Sequence, residues 1–205
     1  MKKKLLIVFL ILAVLVPATL SAKLFDLSLG PNVQFKPDFA EISGGDMGEL
    51  FSDINNYAFG ADLRLKLLLA EVDLVSTFGK ATESGTEYTE ISILTSAGVS
   101  FDLFGFTRLG IGLGPRFQVL IDDAGNTNVL IESTPVEVDT LGDAFIKSPL
   151  ALRATADFKI GKMWLGASYT LDTDYTFENY DQFDKLFSAQ WDTGRFGVSL
   201  LFSFF

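Results

Sequence analysis

The sequence predicts an all-β protein, a transmembrane antiparallel up-and-down β-barrel of eight strands, with ten as the alternative count. Three observations predict it. Apolar and polar residues alternate with period two through most of the chain. After residue 22 no apolar run is long enough for a membrane helix, although 20 of the residues are phenylalanine. The polar phase is made of small side chains and of charges of both signs.

Residues 1–22 stand apart from this pattern. Lys2, Lys3 and Lys4 precede an apolar core over 5–16, then Pro17 and the small residues Ala18, Ser21 and Ala22, the layout of a cleaved signal peptide. That core is too short to span a bilayer as a helix. Cutting after Ala22 puts Leu20 at the minus-three position, where a small residue is preferred, and cutting after Ser21 puts Thr19 there. The cut is assigned to Ala22, within one residue, and 23–205 is one barrel domain. Its loss lowers the basic residues from 16 to 13 against 26 acidic ones. Such a balance argues against nucleic acid as a partner. The chain has no cysteine, which excludes disulfides, thiolate metal sites and lipid attachment at a cysteine.

The first strand, 25–35, sets Phe25, Leu27, Leu29, Val33 and Phe35 against Asp26, Ser28, Gly30, Asn32 and Gln34. The second, 57–67, sets Phe59, Leu63, Leu65 and Leu67 against Gly60, Asp62, Arg64 and Lys66. A third follows around Val72, Leu74 and Phe78, and further strands occupy 91–101, 109–119, 150–158 and 163–171. Short turns at 67–70, 102–106 and 160–163 alternate with loops at 36–56, 79–86, 121–147 and 172–182, mostly long and polar, as in membrane barrels.

The last segment, 183–205, changes phase midway. Phe187, Ala189 and Trp191 lie on one phase, and Phe196, Val198, Leu200, Phe202 and Phe204 on the other, with 192–195 between. One reading is a long strand with a β-bulge near Gly194. The other is a hairpin at 192–195, which requires an extra strand, such as 128–138, and gives ten. An even number returns the carboxyl terminus to the side from which the first strand leaves.

Alternation alone does not say which face meets lipid, and the polar phase decides it. Ser28, Gly60, Ser96, Gly98, Gly112, Gly166 and Ser199 are small, as the inside of a narrow barrel requires, and an eight-stranded barrel has room for little beyond side chains. The same phase carries Arg64, Lys66, Arg108, Arg116, Arg153, Lys159 and Arg195 against Asp26, Asp62, Glu71, Asp73, Glu90, Asp102 and Asp157, seven of each sign. In hydrocarbon each basic residue near the midplane costs about 2 to 4 kcal/mol, so lipid selects the register that turns them inward. These charges are read as a structural ion-pair network. Leu65→Arg is therefore expected to harm assembly more than Arg64→Gln.

Other chemistry is poorly supported. The chain has no histidine, so a serine nucleophile lacks its usual base; Glu71 and Asp73 share a strand face but are balanced by arginines. No catalytic, cofactor or metal site is assigned. The loop acids, Asp38, Glu41, Asp46, Glu49 and Asp53 in the first loop and Asp122 and Asp123 in the third, lack EF-hand spacing. Gly110, Gly112 and Gly114 alternate within a strand and do not turn into a helix, so they are not a phosphate loop. Trp164 and Trp191 either join interfacial girdles or fill the lumen.

From residue 23 onward the chain resembles the small outer-membrane β-barrels of diderm bacteria, the OmpX, OmpA-barrel and OmpW group, on the signal peptide, the alternating strands and the terminus GVSLLFSFF. The resemblance implies outer-membrane lipid as surroundings, insertion by the barrel-assembly machinery, and Phe196, Val198, Leu200, Phe202, Phe204 and Phe205 as the insertion signal. The expected form is a monomer without a cofactor. Two functions fit: a rigid platform whose exposed acidic loops meet an extracellular or envelope ligand or support envelope integrity, or porin-like passage of small or hydrophobic solutes in the OmpW manner. The second needs an apolar pocket near the external end, for which Leu94, Trp164 and Leu201 are the large apolar residues on the lumen phase.

Overall fold

A computed structural model describes residues 24–204 apart from 84, 126, 132, 133 and 137–140. Residues 1–22, expected to be the signal peptide, and Phe205 of the expected insertion signal lie outside the described residues. Eight strands close the barrel in chain order, each antiparallel to the next: β1 (Phe25–Phe35), β2 (Tyr57–Leu67), β3 (Ala70–Glu83), β4 (Thr86–Leu103), β5 (Thr107–Ile121), β8 (Pro149–Ile160), β9 (Met163–Thr176) and β10 (Ala189–Ser203). Pairing of β1 with β10, through Leu29 opposite Phe202 and Val33 opposite Val198, completes the ring and leaves it without an edge. The short strands β6 (Thr127–Ile131) and β7 (Thr134–Val136) form a hairpin that hangs from the far end of β5 and takes no part in closure.

The count is thus eight, and the phase change in the last segment is a bulge: the β10 register on β9 shifts between Gln190 and Arg195 within one continuous strand. The described residues of 128–138, the candidate for an additional barrel strand, belong to the appended strands β6 and β7 and not to the closed ring. The second loop is also shorter than expected. Alternation runs on through Glu83 and resumes at Thr86, so 79–86 is the tip of a long hairpin with Gly85 in the left-handed region at φ 81°. Strand β9 likewise continues to Thr176, well into the segment expected to be loop.

Both chain ends described, Phe25 and Ser203, lie at the end with the three short turns, as an even strand number demands. The two-residue turn Leu68–Leu69 holds Leu68 at φ 57°, a conformation that disfavours side chains. The opposite end carries the longer connections. There the first loop folds into two one-and-a-half-turn helices, α1 (Phe39–Gly44) and α2 (Met47–Ser52), started by Asp38 and Asp46 as caps. Asp38 forms a full capping box with Glu41. The third carries α3 (Leu141–Lys147).

Burial follows the period-two pattern with polar residues inside. Arg64 and Asp62 are enclosed while their neighbours Leu63 and Leu65 face outward, and Leu74, Ile111, Phe158, Val198 and Phe202 extend the same exposed apolar surface around the barrel. Water would not support such a surface, and hydrocarbon would not support its inverse. Among the described residues no helix is long and apolar enough to cross a membrane.

Candidate functional site

Because the small residues on the inner phase leave room, long charged side chains reach across the barrel to meet. A Cβ at Gly166 would stand 2.5 Å from Asp157 Oδ1 and 3.2 Å from Arg64 Nη2, so glycine here makes space for an ion pair. At Gly60 a Cβ would run into the carbonyl oxygen of Ser76 on the neighbouring strand, which shows how closely the strands approach there.

Nearest the short turns, Arg108 donates to Asp102 at 2.7 Å and to Asp26 at 3.0 Å, while Lys66 pairs with Asp102 at 2.9 Å. The Arg108 guanidinium lies 4.4 Å from the centre of the Trp164 ring, which is buried beneath it beside Leu201. One layer further in, Arg64 donates to Asp62 at 2.9 Å and to Asp157 at 2.6 Å, and Arg153 donates to the same Asp62 oxygen at 2.8 Å. Ser199 Oγ adds a third donor to Asp62 at 2.7 Å. Arg153 also faces Asp73 at 3.3 Å, and Glu71 lies 3.9 Å from Arg108. Arg64, Arg153 and Asp62 have fully enclosed side chains. Two arginines sharing one carboxylate, each with a second acid, make a connected network and not separate pairs.

Above this lies a small apolar layer of Val75, Leu94 and Ala151. Toward the long loops come Arg116 paired with Asp172, and Arg195 with Glu90 at 2.7 Å, the latter also accepting from Gln118 at 3.0 Å. Beyond them the barrel opens into a polar vestibule of about 420 Å³ lined by Lys36, Glu41, Asp53, Lys80, Glu87, Glu90 and Arg195. Burial at this mouth holds the Lys36 ammonium below the usual lysine range, opposed by the nearby Glu90 carboxylate.

Thirteen of the fourteen charges assigned to the lumen from the sequence thus face one another inside the barrel: Asp26, Asp62, Arg64, Lys66, Glu71, Asp73, Glu90, Asp102, Arg108, Arg116, Arg153, Asp157 and Arg195. Lys159 is the exception. It has the inward phase but stands at the last turn of β8, where the barrel is open, and its ammonium lies 5.5 Å from the Trp164 ring with the side chain exposed. Asp172, which the sequence reading places in a loop, is a further inward charge on β9. Continued alternation through Ser168, Thr170 and Asp172 against Tyr169 and Leu171 was the available signal. The described interior therefore holds eight acids and six bases, an acidic excess in place of the expected neutrality.

Leu94, Trp164 and Leu201 are all buried, yet they do not form one pocket: Trp164 and Leu201 pair near the short turns, and Leu94 packs in the middle layer. Trp191 is exposed on the outer face. Of the terminal residues, Phe196, Val198, Phe202 and Phe204 are exposed on the outer face and Leu200 is half-buried. Among the described residues no group of acids is arranged to hold a metal ion.

An apolar exterior, an ion-paired polar interior and eight closed strands define the class: a small transmembrane β-barrel. Neither a known protein family nor a curated protein sequence matches the chain. Among solved structures, Ail, the attachment invasion locus protein of Yersinia pestis, solved with the heparin analogue sucrose octasulfate, is similar over 87% of this chain and 95% of its own, at 14% identity and a TM-score of 0.44. Neisserial surface protein A is similar over 88% of this chain and 96% of its own, at 12% identity and a TM-score of 0.38. The class assignment rests on the strand pairing and burial of the chain itself.

Proposed function

We propose that the protein is an outer-membrane barrel that serves as a rigid, closed platform, exported by its signal segment and inserted by the barrel-assembly machinery, with its biological contacts made by the loops at the long-loop end. The observation that carries this reading is the ion-paired interior. The gap among Glu71, Asp73, Ser96, Arg153 and Thr155 leaves no space that a water-sized sphere could enter. A fixed network filling the bore gives stiffness to the wall and leaves recognition to the segments outside it. Passage of hydrophobic compounds would need an apolar route from the membrane into the bore, whereas the vestibule at its mouth is lined mainly by charged and polar side chains.

Refolded protein in planar bilayers is expected to show little or no steady conductance, including when the first loop is shortened. Large, persistent single-channel currents would move the function to transport.

The location has its own test. Phe202 and Phe204 end the outer face of the closing strand, so replacing Phe202, Phe204 and Phe205 together by serine is expected to leave the protein unassembled and degraded. Normal surface protease accessibility and normal resistance to urea extraction in that variant would refute the assigned insertion signal.

A further inference from the structure

The first loop lies across the rim of the barrel with two unlike sides. Glu41, Asp53 and Asn55 line the vestibule, while Phe39, Ile42, Met47 and Phe51 turn outward over the barrel wall. Phe51 stacks on Phe35 with ring centres 5.0 Å apart, and Phe39 meets Phe196 at 5.4 Å. The Tyr57 hydroxyl donates to the Phe51 carbonyl at 2.9 Å, and the Asn56 amide to that of Leu50 at 2.9 Å, which fixes the helices at this height. Between these contacts the helices stand off the wall. They leave a groove of about 420 Å³ whose lining is almost wholly apolar and whose floor is the cross-strand pair Val33 and Val198 with Phe35 and Phe196 beyond it.

We propose that this groove holds one acyl chain of a lipid from the leaflet at the long-loop end, so that the first loop clasps the membrane surface and is not a freely displayed loop. Its floor is continuous with the outward apolar face, since Val198 is followed on the same face by Leu200 and Phe202, and a chain can enter from the bilayer without crossing water. An amphipathic segment at the interface gains by burying its apolar side in this way.

The inference rests on the membrane reading of the apolar exterior, and the test separates the two. The chain lacks cysteine, so single cysteines carry a bimane label uniquely. Met47→Cys reports the groove edge, Leu74→Cys the middle of the outer face, and Ala40→Cys the side of α1 away from Phe39 and Ile42. In vesicles of phosphatidylcholine brominated on its acyl chains, the labels at 47 and 74 are expected to be quenched and the label at 40 to be spared. Adding Ile42→Trp, which fills the groove, is expected to remove most of the quenching at 47 and none at 74. Quenching at 74 without quenching at 47, or quenching at 47 indifferent to Ile42→Trp, overturns the groove occupant. Absence of quenching at 74 overturns the membrane reading itself.

Discussion

Arg64→Leu is expected to cost the folded barrel about 3 to 5 kcal/mol, because it leaves the buried Asp157 without a counter-charge and Asp62 with only Arg153. Arg64 bridges Asp62 and Asp157, and Asp157 has no other ion-pair partner among the described residues. Folded proteins hold only about 5 to 15 kcal/mol in reserve, so a loss of this size is plainly visible in urea unfolding from vesicles. The double variant Arg64→Leu/Asp157→Leu removes both charges and is expected to recover much of the loss, since apolar replacement of a whole buried pair is often close to neutral. A loss below about 1 kcal/mol for the single variant, the scale of an exposed pair, would mean that water reaches this layer and that the bore is not packed. The ranking drawn from the sequence, with Leu65→Arg more harmful than Arg64→Gln, changes accordingly: a neutral amide among polar neighbours still fails to balance the two carboxylates that the guanidinium spans.

Leu63→Arg is expected to cost about 2 to 4 kcal/mol, and Leu65→Arg only about 0 to 1 kcal/mol, since the penalty for a charge on the lipid face falls steeply with distance from the midplane. Leu63 lies near the middle of β2, opposite Leu29 on one side and Leu74 on the other. Leu65 is two residues closer to the short turn at 68–69, where a long side chain can extend to the interface. Refolding yield and unfolding free energy in vesicles of defined thickness measure both. Equal penalties would place the midplane nearer the short turns, and negligible penalties for both would remove the outer face from hydrocarbon altogether.

Alternation by itself determined that the chain is strand upon strand, which residues share a face, and that charge belongs inside. Period two is a local property that needs no partner to be read, and the cost of charge in lipid then fixes which face turns in. The bulge in β10 was legible in the same way, as a phase change beside Gly194. Which charge meets which was not legible. Asp62 receives Arg153 from 91 residues away, and Arg108 reaches Asp26 across 82, through the tilt and stagger of a closed barrel that no local pattern encodes. Strand ends escaped for a related reason. Lys159 and Asp172 each continue the polar phase of a strand, yet Lys159 is at an open rim and Asp172 is sealed by Arg116, which reaches it past β8 from two strands away. Only the tertiary structure folded the first loop over the rim, because Phe39 and Phe51 read as loop residues until Phe35 and Phe196 stand beside them; a short helix gains its stability from the surface on which it packs.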